Sequence, residues 1–191
     1  MKTVLFIPGF QEDLNDRDYA SMITAIKKRG YKVEFITLNW LRTTIEQWVP
    51  EFEAIYAKYD PAQTILAGFS FGAVTAFMAA VHRNPAELWL FSLSPYFTED
   101  LASREMKPAW LKEIGHRRVT AFDELSFKTL TPTISSKMLF FYGTEELKRW
   151  PNIDYRTKLV RTLKNAKIIM AEGAGHDVGD PHYIDAIIKA I

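Results

Sequence analysis

The segment that most constrains this chain is Gly68-Phe69-Ser70-Phe71-Gly72. An apolar run typical of a strand, residues 64–67, precedes it, and an apolar run typical of a helix, residues 73–81, follows it. A strand that becomes a helix within a few residues must turn sharply, and the glycines on both sides of Ser70 make room for that turn. We therefore expect the turn to expose the Ser70 hydroxyl at its tip, beside the helix N-terminus.

This strand, turn and helix fit the G-x-S-x-G pattern of a nucleophile elbow, in which the serine hydroxyl attacks the substrate. The alternative is that Gly68 and Gly72 only allow the strand and the helix to pack closely, with Ser70 acting as a helix cap. The rest of the chain favours the nucleophile.

Composition limits the other possibilities. The 191 residues suggest one domain, and 48% hydrophobic with 25% charged residues is ordinary for a globular protein. A net charge of +1 gives no sign of a nucleic-acid partner. The absence of cysteine excludes disulfides, thiolate catalysis and cysteine metal sites. The apolar run at the N-terminus is too short for a signal peptide or a membrane span, so a cytoplasmic protein is expected.

Six short apolar runs alternate with helical patterns along the chain. They predict strands at residues 4–7, 32–37, 64–67, 88–93, 138–142 and 167–171. This alternation predicts an α/β fold, a three-layer sandwich with a mainly parallel six-stranded sheet. Residues 1–191 are expected to form a single domain, with an irregular, lid-like insertion at about 95–136 that contains helical patches at 109–114 and 121–125. Pro50 is expected in the first turn of a helix.

Right-handed crossovers place the carboxyl ends of parallel strands at one edge of a sheet. The segments that directly follow predicted strands should therefore meet there. They are Pro8-Gly9-Phe10, Ser70, Ser94-Pro95, residues 143–146 and residues 173–176.

A serine nucleophile needs a base within hydrogen-bonding reach, and the base needs an acid to fix its tautomer. Of the four histidines, only His176 follows a strand in a glycine-rich loop. His82 ends the helix after the turn, His116 lies in a basic irregular stretch, and His182 falls in the first turn of the last helix. We therefore predict that His176 is the base, although a loop histidine can also be a simple surface residue.

The acid is expected in the loop after the fifth strand, where Glu145 and Glu146 are adjacent. Glu146 is the first choice and Glu145 the second, because adjacent glutamates are often only solvated charges. Asp154 and Asp123 are more remote alternatives. The developing oxyanion needs two donors, for which we predict the backbone N–H groups of Phe10 and Phe71, with that of Gln11 as a substitute for Phe10.

The order of these segments resembles the α/β-hydrolase superfamily, particularly its small, nearly capless bacterial esterase-like members. The resemblance rests on Pro8-Gly9-Phe10, Gly68-Phe69-Ser70-Phe71-Gly72, Gly143-Thr144-Glu145-Glu146 and Gly173-Ala174-Gly175-His176, in the family's order of serine, acid and histidine. It implies a serine hydrolase without a cofactor. The chain departs from the family pattern in three ways: no antiparallel strands lead the sheet, Pro-Gly replaces the common His-Gly, and a glutamate replaces the common aspartate.

The predicted partner is a small-molecule acyl substrate, and ester, thioester, lactone and amide share the same machinery. Aromatic residues near the sheet edge are expected to form its pocket: Phe69, Trp40, Tyr96 and Phe97. Met106 and Trp110 would form an apolar lid or belong to the core.

Two other functions compete with hydrolysis. A protein with this fold can be catalytically silent and bind a small molecule or a partner protein. A cluster formed by His176, Asp177, Asp180 and His182 would instead bind a metal ion. The intact serine and histidine favour the hydrolase over both.

Overall fold

The computed structural model describes residues 1–16, 18–101, 107–149 and 154–191. Its centre is one sheet of six parallel strands in the order β2-β1-β3-β4-β5-β6. The strands are β1 (Thr3–Ile7), β2 (Lys32–Phe35), β3 (Thr64–Phe69), β4 (Glu87–Phe91), β5 (Lys137–Gly143) and β6 (Ala166–Ala171). The predicted α/β fold with a six-stranded parallel sheet is therefore confirmed.

Helices cover both faces of the sheet. They are α1 (Tyr19–Lys28), α2 (Ile45–Tyr56), α3 (Phe71–His82), α4 (Thr98–Leu101), α5 (Lys107–Ile114), α6 (His116–Asp123), α7 (Phe127–Leu130), α8 (Thr144–Arg149), α9 (Asp154–Thr162) and α10 (Pro181–Ala190), with short 3-10 turns at Pro61–Gln63 and Thr131–Thr133. Within the described ranges, no helix has both the length and the apolar character needed to cross a bilayer.

The two faces of the sheet carry two separate hydrophobic cores. Successive strand side chains point to opposite faces, so Leu5 packs in the core beneath α2 and α3, whereas Phe6 packs in the core beneath α1 and α10. Because helices cover both faces of the sheet, the side chains on both sides of the central strands are buried and apolar.

The strand register brings the carboxyl ends of the central strands to one level. Gly68 pairs with Ile7, Phe69 with Phe91, and Phe91 with Phe141. The residues that follow these ends therefore meet at a single edge, as the sequence predicts.

The second helix begins earlier than expected. Thr44 is its N-cap, and the Thr44 N–H donates to Gln47 Oε1 at 3.0 Å in a capping box. Pro50 therefore lies inside α2 and not in its first turn. The prediction for Pro50 was wrong because the capping box, formed by residues that precede the proline, decides where the helix starts.

The segment between β4 and β5 is more helical than the sequence suggests. It contains α4 to α7, and Gly115, with φ of 84°, separates α5 from α6. The patch predicted at 109–114 lies within α5, whereas α6 covers His116–Asp123 and not 121–125. Met106 and the side chain of Trp110, expected in a lid or in the core, lie outside the part of the chain that the structure describes.

Candidate active site

Ser70 lies at the tip of the turn between β3 and α3. Its backbone has φ of 55° and ψ of −117°, a conformation that residues other than glycine rarely adopt. The Ser70 N–H donates to Phe91 O at 3.0 Å, which ties the strained turn to the end of β4. The surrounding sheet thus holds the hydroxyl in a fixed position at the sheet edge.

The two glycines of the motif are required by close backbone contacts. A Cβ at Gly72 would lie 2.2 Å from Pro8 O, and a Cβ at Gly68 would lie 2.3 Å from Gly72 O. The turn therefore brings α3 directly against the end of β1, and a larger residue at either position would push the elements apart.

His176 lies in the loop after β6, and its ring bridges two side chains. Its Nε2 is 3.1 Å from Ser70 Oγ and its Nδ1 is 3.0 Å from Glu146 Oε1. The Phe69 ring supports the imidazole, with centroids 4.7 Å apart. The structure thus brings together the serine and the histidine that the sequence singles out.

Glu146 lies in the first turn of α8 and is only 2% exposed. Its Oε2 accepts hydrogen bonds from Ser92 Oγ at 2.7 Å and from the Gly143 N–H at 3.3 Å. Glu145 points to the surface instead, where it pairs with Lys148 at 2.6 Å. Of the two adjacent glutamates, it is Glu146 that contacts His176.

The remoter acids lie elsewhere in the fold. Asp123 ends α6 in the segment between β4 and β5, and Asp154 begins α9. The described contacts of His176 with a carboxylate involve Glu146.

Two residues behind Glu146 have no obvious signal in the sequence. Ser92, with φ of 47° at the end of β4, lies 2.9 Å from the Tyr183 hydroxyl, which also donates to Phe141 O at 2.9 Å. Complete burial raises the pKa of Tyr183 well above its ordinary value, so this hydroxyl keeps its proton. The pair connects the carboxylate to α10.

Ser94 is expected at the sheet edge from the sequence, but its contact with Ser70 is not. Its Oγ lies 3.0 Å from Ser70 Oγ, and its carbonyl accepts from Arg156 Nη2 at 2.9 Å. If the Ser70 proton is directed to His176, Ser94 is the donor in the contact between the two serines. Its only sequence signal is its place directly after a strand.

The backbone N–H groups of Phe10 and Phe71 follow the ends of β1 and β3, and both residues lie next to Ser70 in the cavity wall. Among the described residues, neither group donates to a protein acceptor. Phe10 lies in a turn closed by Glu12 N–H to Gly9 O at 3.2 Å, and the following Gln11 has φ of 61°. Both amides therefore retain a free hydrogen-bond donor.

A cavity of about 320 Å³ opens over Ser70 and His176. Its wall includes Phe10, Glu12, Tyr96 and Glu113. A space of this size accommodates a small to medium acyl group.

Three of the four aromatic residues expected at the pocket lie behind it. Phe69 is fully buried under His176, and Trp40 packs behind Phe10 with ring centroids 5.8 Å apart. Phe97 is 1% exposed and packs against Phe77 and Phe127 in the core. Only Tyr96 of the four lines the cavity.

The residues considered as metal ligands have other contacts. Asp180 caps α10 by accepting from the His182 N–H at 2.8 Å, and its carboxylate also lies 3.2 Å from His182 Nδ1. Over the described ranges, no group of three or more His, Asp or Glu side chains is arranged to hold a metal ion. His82 pairs with Glu53 on the surface, away from Ser70.

Comparison with known proteins gives matches in structure alone. No family model and no curated protein matches the sequence. Among solved structures, Est1E from Butyrivibrio proteoclasticus is similar with a TM-score of 0.74 and 15% identity, over 99% of this chain and 84% of that one.

Two further structures have comparable similarity. Alpha/beta hydrolase domain-containing protein 10 from mouse gives a TM-score of 0.72 at 15% identity, over 98% of this chain and 86% of that one. The thioesterase domain from the curacin biosynthetic pathway gives 0.67 at 16% identity, over 99% and 91%. With its six parallel strands, the serine turn between β3 and α3, and these neighbours, the chain has the fold of the α/β hydrolases.

Proposed function

We propose that this protein is a serine hydrolase that cleaves a carboxylic ester or thioester with a small to medium acyl group. The observation that carries the proposal is the hydrogen-bonded series from Ser70 through His176 to Glu146, with steps of 3.1 and 3.0 Å, at the wall of a cavity. This is the arrangement that a weak hydroxyl nucleophile needs in order to react at neutral pH.

The geometry supports a two-step reaction through an acyl-enzyme. In the first step, His176 Nε2 takes the Ser70 proton while Oγ bonds to the carbonyl carbon, and the carbonyl electrons move to the oxygen. The N–H groups of Phe10 and Phe71 would stabilise this oxyanion, each contributing about 3 kcal/mol. The tetrahedral intermediate then collapses, and His176 gives its proton to the departing alcohol or thiol.

Water completes the cycle by the same route. It loses a proton to His176 as its oxygen bonds to the acyl carbon, and the released Ser70 regains that proton. Glu146 accepts the hydrogen bond from His176 Nδ1–H and stabilises the imidazolium. The hydrogen bonds from Ser92 and Gly143 keep its carboxylate in position.

The structural neighbours support the same class of chemistry. An esterase domain of a protein from Rhodothermus marinus and the curacin thioesterase domain both align over nearly the whole of this chain. The substrate class proposed here, an acyl ester or thioester, covers both. No cofactor takes part in the proposed steps.

Labelling with a fluorophosphonate tests the nucleophile. We expect mass spectrometry of the digested protein to find the adduct on Ser70, because His176 activates that hydroxyl. Ser70→Ala should lose the label and reduce ester turnover by about a thousandfold or more. Ser94→Ala is the matched control, since it removes the neighbouring hydroxyl and should retain the label.

A folded protein that takes no label would overturn the proposal. It would favour a catalytically silent protein of this fold that binds a small molecule or a partner. Circular dichroism of each variant separates loss of activation from loss of folding.

A further inference from the structure

A second and larger cavity lies beside the one over Ser70. It has a volume of about 470 Å³ and shares Ile114 as a common wall with the first. Gln11, in its wall, directly follows Phe10, which lines the cavity over Ser70. The two cavities are therefore adjacent in the structure.

The wall of the second cavity is cationic. Arg42, Arg117 and Arg118 line it together with His116, and no aspartate or glutamate among the described residues does so. Exposed Leu41 and buried Ile114 supply an apolar part. The space thus combines positive charge with apolar surface.

The guanidinium of Arg118 is already hydrogen-bonded within the protein. Its guanidinium donates to the carbonyls of Thr43 and Trp40, both at 3.0 Å, and lies over the Phe10 ring at 4.6 Å. Carbonyls do not neutralise its charge, and burial together with the neighbouring Arg117 lowers the pKa of Arg118. Arg118 therefore fixes the loop before α2 against α6 and leaves the positive field in place.

Arg42 and Arg117 retain donors for a ligand. Arg117 makes one long hydrogen bond of 3.4 Å to Arg42 O, and within the described ranges neither guanidinium forms an ion pair with a carboxylate. Glu46 and Glu124 line a neighbouring hollow that Arg117 also borders, but they do not pair with it. A planar guanidinium suits a carboxylate or phosphate, to which it can donate two parallel hydrogen bonds.

The cavity over Ser70 has the opposite character. Glu12 and Glu113 belong to its wall, so an anionic group is disfavoured at that end. A substrate with one anionic end is therefore oriented, with its reactive carbonyl at Ser70 and its anion among the arginines.

We propose that the second cavity binds the carboxylate or phosphate of a substrate whose ester or thioester carbonyl lies at Ser70, with Arg42 and Arg117 as its ligands. The proposal rests on the proposed serine hydrolase function. It narrows the substrate class to acyl esters and thioesters that carry an anionic group on the acyl chain or on the leaving group.

Matched substrate pairs test this preference. One pair compares 4-nitrophenyl hexanoate with the mono-4-nitrophenyl ester of adipate, in which a carboxylate replaces the terminal methyl group of the acyl chain. The other compares an acyl-N-acetylcysteamine with the same acyl-coenzyme A, which adds phosphates to the leaving group. We expect the anionic member of at least one pair to have a kcat/KM about tenfold higher at low ionic strength, with the advantage reduced by salt.

We define the preference as the ratio of kcat/KM for the anionic substrate to kcat/KM for its neutral partner. The variants Arg42→Gln and Arg117→Gln should each lower this ratio several-fold, mainly by raising KM for the anionic substrate, because they remove a charge-assisted hydrogen bond. Arg161→Gln on α9 removes the same charge from a residue that lines neither cavity and should leave the ratio unchanged. Equal kcat/KM within both pairs, or a preference that both cavity variants retain, would overturn the proposal.

Binding without turnover separates this proposal from the proposed function. Adipate and coenzyme A would be titrated into the wild type and Arg42→Gln by calorimetry, whether or not any ester is hydrolysed. Binding that Arg42→Gln weakens supports the anion site even if no hydrolysis occurs. Failure of both ligands to bind, in a protein that hydrolyses neutral esters, removes the anion site and leaves the hydrolase intact.

Discussion

Two adjacent glutamates differ in their surroundings because only one of them is inside the protein. Glu146 is 2% exposed and lies 3.0 Å from His176, whereas the side chain of Glu145 is half exposed and pairs with Lys148. The two side chains point in different directions because they are consecutive residues in the first turn of α8, and consecutive residues of a helix are rotated by about 100°. The positions of the two residues in α8 therefore determine that Glu146, and not Glu145, contacts His176.

Glutamine substitutions at these two positions form a matched pair. Glu146→Gln should lower kcat by about a thousandfold or more, because an amide no longer holds the required His176 tautomer or stabilises the imidazolium. Glu145→Gln should change kcat by less than about twofold, as expected for an exposed ion pair. The measurement is the kcat of ester hydrolysis for both variants, with their folding checked by circular dichroism. A larger loss of kcat in Glu145→Gln than in Glu146→Gln would assign the acid to Glu145.

At the scale of elements, the site depends on how closely α3 approaches β1. The Gly72 backbone touches the end of β1, where a Cβ would lie 2.2 Å from Pro8 O. This approach brings Phe71 and Phe10 together in the wall of the cavity over Ser70. The glycine is thus a packing requirement of the turn as well as part of a motif.

Gly72→Ala should reduce the free energy of unfolding by about 3 kcal/mol, because the new methyl group meets backbone atoms that cannot rotate away. Gly175→Ala is the matched control: apart from its chain neighbours, no atom lies within 4 Å of the position that its Cβ would take, and its φ is not left-handed. We expect it to change stability by less than about 0.5 kcal/mol. Urea unfolding measures both, and equal stability of Gly72→Ala and the wild type would refute the close-contact argument.

Glu99 connects two of the short helices between β4 and β5. Its carboxylate accepts from Ser126 Oγ at 2.5 Å and from the N–H groups of Phe127 and Lys128 at 3.0 and 3.1 Å, at the start of α7. Burial alone would raise the pKa of Glu99, but these hydrogen bonds together outweigh it and lower the pKa. The ionised form is therefore favoured by folding.

The lowered pKa of Glu99 determines how its contribution to the stability of the protein depends on pH. A carboxyl with a lowered pKa in the folded state contributes its stability above the unfolded pKa of about 4.3, and the contribution disappears as the pH falls through the folded pKa. Glu99→Gln should therefore unfold at lower urea than the wild type at pH 7, with the difference shrinking below about pH 4. Exposed Glu172→Gln should show little difference at either pH, and a pH-independent effect at position 99 would contradict the role of ionisation.

At the scale of the whole molecule, one buried ion pair joins the helices between β4 and β5 to the sheet edge. Arg156 on α9 and Asp100 on α4 are 1% and 0% exposed and form a salt bridge. The same guanidinium donates to Leu93 O at 2.8 Å and to Ser94 O at 2.9 Å. Arg156 thus connects α4, α9 and the loop that carries Ser94 next to Ser70.

Asp100→Asn should cost about 3 to 5 kcal/mol, because it leaves the Arg156 charge buried beside a neutral amide. The double variant Asp100→Leu, Arg156→Met should recover part of this loss, since no uncompensated charge remains. Urea unfolding of the single and double variants gives the comparison. A double variant less stable than Asp100→Asn would show that the hydrogen bonds of Arg156 to the two carbonyls matter more than its charge.

The sequence by itself determined what depends on local pattern. Apolar runs and their spacing located all six strands and their parallel arrangement, because side-chain periodicity follows directly from backbone geometry. The glycines around Ser70 indicated the turn, and a loop position after the last strand indicated His176. These signals lie within a few residues of the features that they predict.

Only the tertiary structure decided which distant residues meet. Examples are the contact of Glu146 with His176, the contacts of Ser92, Ser94 and Tyr183 around the site, the burial of Phe97 and the cationic second cavity. All of them depend on contacts between segments far apart in the chain. A residue's type does not reveal which way it points, because burial and register arise from packing against those other segments. The sequence thus specified the sheet edge and its serine turn, and packing selected the side chains that surround them.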